Sequence, residues 1–134
     1  MSQTGLSDVM ATAAALVEAF GSHNAQSYFS FFDEDATFIF YTHPEILTSR
    51  REWEDLWASW ENEHGFRVHS CVSREPHVQM LGDDAAIFRH IVVSIIEMDH
   101  DLETVTERET IVFRRVSSSW IAVHEHLSSL GEKA

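Results

Sequence analysis

The apolar positions of this chain follow a helical period first and an alternating period later. Val9, Ala13, Leu16, Val17 and Phe20 recur at helical spacing. They predict a helix over Leu6 to Phe20, capped by Ser7 or Asp8, with an Ala-rich interior and Gly21 as its stop. A short second helix is expected near Ala25 to Phe32, with Tyr28, Phe29, Phe31 and Phe32 as its apolar mass and Asp33-Glu34-Asp35 as its end. Ala36 to Thr42 reads as a strand, and His43-Pro44-Glu45 as a loop, because Pro44 holds His43 extended. Trp53, Leu56, Trp57 and Trp60 then fall at i, i+3, i+4 and i+7. That stripe predicts a third helix from a Thr48 or Ser49 cap to about His64, ended by Gly65.

From Phe66 onward the pattern is that of strands. Phe66 to Leu81 is interrupted at Pro76, which implies a bulge or an edge position. Gly82-Asp83-Asp84 is a turn, and Ala85 to Met98 is a long β-branched strand. Asp99-His100-Asp101 turns the chain again into Leu102 to Val116. Ser117-Ser118-Ser119 leads to a last strand, Trp120 to Ser129, and Leu130 to Ala134 reads as a frayed tail. Helices followed by consecutive hairpins mean an α+β fold. Strands this long exceed the usual ~5–6 residues and twist strongly. A curled antiparallel sheet wrapped on N-terminal helices makes a cone that encloses a pocket.

At 134 residues the chain is long enough for one domain, spanning 1–134, with a real core. It has no run approaching the ~20 apolar residues of a membrane span. Its first residues lack a basic start followed by an apolar run, so a cytoplasmic location is expected. The single cysteine, Cys71, excludes an internal disulfide and a cysteine metal cluster. Nine Lys and Arg stand against 22 Asp and Glu, a formal net charge of −13, which argues against nucleic acid and anionic membranes as partners. Nine histidines are many for this length and supply groups that titrate near neutral pH.

The densest candidate chemistry is in the last strand. Side chains alternate along a strand, so strict alternation puts His124, His126 and Ser128 on one face with Trp120, and Val123, Glu125 and Leu127 on the other. Glu107 and Glu109 likewise share a face. A carboxylate in an apolar pocket would have a raised pKa and could abstract a proton, and Glu109, between Arg108 and Thr110, is the foremost candidate. One imidazole near neutral pKa can act as acid or base, whereas the plainer role for these histidines is to support the sheet or a dimer contact. Two strand histidines with a third from a neighbour could instead hold zinc or iron. The glycines and following Glu that accompany such a pair in cupins are missing, so no metal and no cofactor is expected. Phosphate loops, dinucleotide glycine patterns and G-x-S-x-G elbows are also missing.

Several segments together resemble one family. They are Arg51-Glu52-Trp53-Glu54-Asp55-Leu56-Trp57, His77 to Ala86, Glu109 to Arg115, and Trp120 with Val123 to Ser128. With the order α-α-β-α-β-β-β-β, they resemble the nuclear transport factor 2-like superfamily. This superfamily includes ketosteroid isomerases, scytalone dehydratases and SnoaL-like polyketide cyclases. The pattern is most like the association (hub) domain of calcium/calmodulin-dependent protein kinase II and its bacterial SnoaL-like relatives.

The resemblance implies a cone-shaped α+β barrel, a homodimer and a pocket for a small apolar or mixed-polarity molecule. It places His90, His124 and His126 where they could converge, Tyr41 near the mouth and Trp57 at the cavity entrance. The hub domain's cavity arginines correspond to Val92, Ile111 and Leu127, all apolar, so a strongly anion-binding pocket is not expected. The isomerase's strand aspartate falls near Glu109 or Ile111. The implied function is that of a small-molecule-binding protein, as a cofactor-free isomerase, cyclase or dehydratase. The alternative is a non-catalytic dimerisation or ligand-sensing module. The expected catalytic groups are His124, His126 and Glu109, and the expected ligand contacts Tyr41, Trp57, His90, Val92, Ile111 and Ser128.

Overall fold

The computed structural model describes residues 2–130, with side chains from residue 5. The elements run α1 (Ser2–Gly21), α2 (Ala25–Ser30), β1 (Phe32–Phe40), α3 (Arg50–His64), β2 (Arg67–Met80), β3 (Ala85–Met98), β4 (Asp101–Val116) and β5 (Ser119–Ser129). This is the α+β order expected. The expected tail at 131–134 lies outside the described residues. Among the described residues no helix is long and apolar enough to cross a membrane.

The five strands form one curved sheet in the order β1-β5-β4-β3-β2. β1 runs parallel to β5 and the other neighbours are antiparallel. The sheet does not close, so β1 and β2 are its two edges. Pro76 sits on edge strand β2, within a register shift between Arg74 and His77, where its missing N–H costs the ladder nothing.

α1 lies across β2 with Val9, Ala13, Leu16 and Val17 buried, as the spacing predicts. Ser7 and Asp8 are not its caps; they are exposed residues inside a helix that starts at Ser2. A side chain at Gly21 would stand 3.0 Å from the Cys71 backbone nitrogen, so glycine lets the helix end press against β2. α3 is capped by the Ser49 side chain, which accepts from the Glu52 N–H, and ends at Gly65 with φ of 64°. Its Trp53 and Trp57 join Tyr28, Phe29, Phe32, Phe38 and Phe66 in an aromatic core beneath the sheet.

Two further features differ from expectation. Asp33-Glu34-Asp35 lies inside β1 rather than ending a helix, in an irregular stretch between the Phe32–Ala122 and Thr37–His124 pairs. The second difference is in β5. Phe113 pairs with Ala122 but Val112 pairs with His124, so Val123 is an extra residue opposite no partner. Alternation is reset there. Trp120 and Ala122 face the helices, and so does Glu125, while His124, His126 and Ser128 are turned to the outer face.

Candidate functional site

Between the concave face of the sheet and the helices lies a cavity of about 470 Å³. The helices, β1 and the start of β2 give it an aromatic wall of Phe20, Tyr28, Phe40, Trp53, Trp60 and Phe66. The sheet gives it Cys71, Val92 and Ser94, the inner-face carboxyls of β4 (Glu103, Glu107, Glu109), and Glu125 and Leu127 of β5. Tyr41 stands at the mouth, half-exposed, its hydroxyl donating to Glu107 Oε2 at 2.7 Å. A shallower depression of about 590 Å³ on the β4–β5 surface offers Arg114 and Arg115, already paired with Asp33 and Asp84, and no buried polar group.

One continuous chain of polar side chains crosses the cavity floor. Ser73 Oγ lies 2.6 Å from His90 Nδ1, and His90 Nε2 lies 2.6 Å from Glu109 Oε1. The carboxyls of Glu109 and Glu125 stand next to each other at this point, and two buried carboxyls so close favour a single proton shared between them. The Tyr28 hydroxyl donates to Glu125 Oε1 at 3.1 Å, and the Trp53 indole N–H donates to the Tyr28 oxygen at 3.2 Å. Strand pairing explains the assembly. His90 sits directly opposite Glu109 on β3–β4, and Glu125 opposite Ile111 on β4–β5, so all three side chains rise from the same concave face.

Burial sets the protonation of this chain. It raises the Glu125 carboxyl well above the usual range, and repulsion from Glu109 adds to the rise. Burial also raises Glu109, with Glu107 adding repulsion, so the pair shares a proton that Glu125 holds the more firmly. Glu107 is raised by burial against the lowering bond from Tyr41. The His90 side chain, fully shielded, is held down to about 4 by desolvation, which outweighs the upward pull of the neighbouring Glu125 carboxyl. It is therefore a neutral imidazole at neutral pH, bonded at both nitrogens. Burial pushes the Tyr28 hydroxyl well up as well, so it acts as a donor. An acid, a carboxylate able to take a proton, and a neutral imidazole behind it thus meet at an apolar surface, which is what proton transfer to and from a bound molecule needs. Among the described residues, no three His, Cys, Asp or Glu side chains are grouped as a metal ion would require.

The family model for the SnoaL-like domain matches residues 9–131. The chain belongs to the SnoaL-like domain family. No curated protein matches it. Solved structures similar to this SnoaL-like chain share its fold at low identity. The CaMKII hub homology domain of Chlamydomonas reinhardtii is 20% identical, with TM-score 0.73, over 94% of this chain and 98% of that one. An NTF2-like protein of unknown function in nutrient uptake from Rhodospirillum rubrum is 19% identical, with TM-score 0.78, over 92% and 99%. A ketosteroid isomerase-like protein from Erwinia carotovora atroseptica is 18% identical, with TM-score 0.77, over 95% and 97%.

Within this SnoaL-like fold the expected site residues separate. Glu109, His90, Val92 and Tyr41 come together in or directly behind the cavity. Ile111 points inward but is wholly buried in the core. Trp57 is buried away from the lining, stacked on His23 and donating to Glu61 Oε2 at 2.9 Å. His124, His126 and Ser128 are on the outer face: His124 Nδ1 is 2.7 Å from Thr37 Oγ1, and His126 is exposed. They do not share the face of Trp120, because the extra residue Val123 intervenes. Burial and neighbouring His126 lower the His124 pKa. Sequence reasoning missed Glu125 and Tyr28. The signal for Glu125 was a lone carboxylate between apolar inner-face neighbours, and it is masked by the bulge. Tyr28 is hidden in a run of aromatic residues.

Proposed function

We propose that this SnoaL-like protein binds a small, largely apolar molecule in its cavity and moves a proton on it without a cofactor, as an isomerase, cyclase or dehydratase would. The observation that carries this reading is the buried His90–Glu109–Glu125–Tyr28 chain opening on an aromatic-walled cavity. Glu109 is the proton-accepting group. His90, bonded to it from behind, orients it and adjusts its affinity for the proton. Neutral Glu125 and Tyr28 supply the acid side, stabilising charge that develops on the substrate. The likeness in fold to a ketosteroid isomerase-like protein agrees with this reading.

The test is deuterium incorporation at carbon. A panel of small cyclic ketones and β-hydroxy ketones is incubated with the protein in D2O and followed by NMR. Catalysed exchange or dehydration is expected in the wild type and is lost in Glu109→Gln, while His126→Gln retains it. Exchange undiminished in Glu109→Gln would overturn the assignment.

A second role is supported by the outer face, where Val72 and Ile95 are exposed beside half-buried Ile91 and Val93. This apolar sheet surface is suited to a second copy of the chain, with His124 and His126 at its margin. Sedimentation should give a dimer for the wild type and a monomer for Val72→Lys with Ile95→Lys; a monomeric wild type would refute the assembly.

A further inference from the structure

We infer that the cavity takes an organic cation, an amine whose ammonium group sits among the carboxyls of β4 and β5 and whose apolar body lies on the aromatic wall. This rests on the reading that the cavity binds a small molecule, and adds the sign of that molecule's charge. Two independent features of the lining carry it. First, Glu103, Glu107 and Glu109 stand along the inner face of β4, from the mouth to the floor, and Glu125 completes the floor from β5. Among the described residues no Lys or Arg lines the cavity, and the one base touching these carboxyls, His90, lies behind Glu109 rather than in the lumen.

Second, the opposite wall is an arc of rings. Phe40 and Trp53 have centroids 4.8 Å apart, Trp53 and Trp60 5.3 Å, and Trp60 and Phe66 5.4 Å. Ring faces attract cations and apolar chains alike, but not anions. A carboxylate or phosphate would face four acidic side chains without a partner. A bare metal ion lacks the three grouped donors it needs among the described residues. A neutral molecule would leave the raised carboxyls as they are, whereas an ammonium group compensates them. The mouth favours the same ligand. Tyr41 is bonded to Glu107 there, and an incoming N–H donor can replace that hydroxyl without leaving the carboxylate bare. The formal net charge of −13 draws cations toward it.

The test compares three probes of one shape, phenylbutylamine, phenylbutanol and phenylbutyrate, by calorimetry and by Trp fluorescence, since Trp53 and Trp60 line the cavity. The full chain at pH 7 should bind the amine about tenfold or more tighter than the alcohol, and the carboxylate weakest. Amine binding should release protons, seen as a heat that changes with the buffer's ionisation enthalpy. The amine-to-alcohol ratio should fall at least about threefold in Glu107→Gln, whose partly solvated site spares the core, and likewise in Glu109→Gln. Equal affinity for amine and alcohol, or tighter binding of the carboxylate, would overturn the cation inference and leave the small-molecule reading standing. No binding by any of the three would overturn both.

Discussion

Replacing His90 with glutamine changes how stability depends on pH, and the size of the change follows from the burial of the imidazole. In the unfolded chain a histidine takes its proton near 6.5, whereas the folded protein holds His90 neutral down to about 4. A depressed histidine means that the unfolded state binds the extra proton between those two values. Stability linked to His90 is therefore fully present above about 6.5 and is lost as pH falls toward 4. At about 1.4 kcal/mol for each factor of ten in affinity, the loss is roughly 3 kcal/mol, a large share of the ~5–15 kcal/mol that holds a domain folded. Glu107, Glu109 and Glu125 work in the opposite direction, since carboxyls with raised pKa favour the folded state as pH falls. The wild-type curve alone therefore mixes opposing slopes. The difference between wild type and His90→Gln separates them, because the variant keeps the carboxyls and loses the imidazole. Urea unfolding followed by Trp fluorescence from pH 7 to pH 4 should show that difference shrinking by about 3 kcal/mol. A difference that stays flat would mean that His90 is not desolvated. A difference that grows would mean that the proton sits on the imidazole as an ion pair with Glu109, and the neutral-histidine account of the site would fail.

Glu125→Gln should make the protein more heat-resistant than the wild type as pH rises, since the raised carboxyl contributes stability present at acid pH and lost toward alkaline pH, while the amide never ionises. Melting curves from pH 5 to pH 9 test this, and parallel curves would refute it. Cys71, whose thiol burial pushes up from 9.0 to about 12, should hold on the order of a thousandfold less thiolate than a free cysteine at pH 8. Its reaction with a disulfide reagent should be slow in the native protein and fast in urea; rapid native reaction would contradict the buried thiol.

The elements most legible in the sequence were those whose signals are local. The tryptophan stripe, the Ser49 cap and Gly65 located α3 almost to the residue, because spacing, cap chemistry and the left-handed glycine all act within one turn. The β3–β4 hairpin was legible for the same reason, its β-branched run ending at a polar turn. The start of β1 was not, since Asp33, Glu34 and Asp35 read as a turn and lie in a strand only because Phe32 and Thr37 on either side pair with β5, distant in sequence. The site divided along the same line. Glu107 and Glu109 were correctly placed on one face because β4 alternates without interruption through that stretch. Glu125 was placed on the wrong face, and His124 and His126 with it, because alternation counts residues and cannot see an unpaired one. Tyr28 belongs to the site only because α2 brings it under Glu125, a contact across 97 positions of sequence.

The unpaired Val123 acts as a phase shifter for everything that follows it. Were it paired in step, opposite Val112, every later residue of β5 would slip by one along β4, turning Glu125 and Leu127 out to solvent and bringing His124, His126 and Ser128 into the lumen. Two imidazoles and a hydroxyl would then occupy the floor that a carboxylic acid occupies now. For a chamber built this way, a one-residue slip of β5 against β4 exchanges the whole chemical palette at once. No series of substitutions inside the cavity makes that change in a single step.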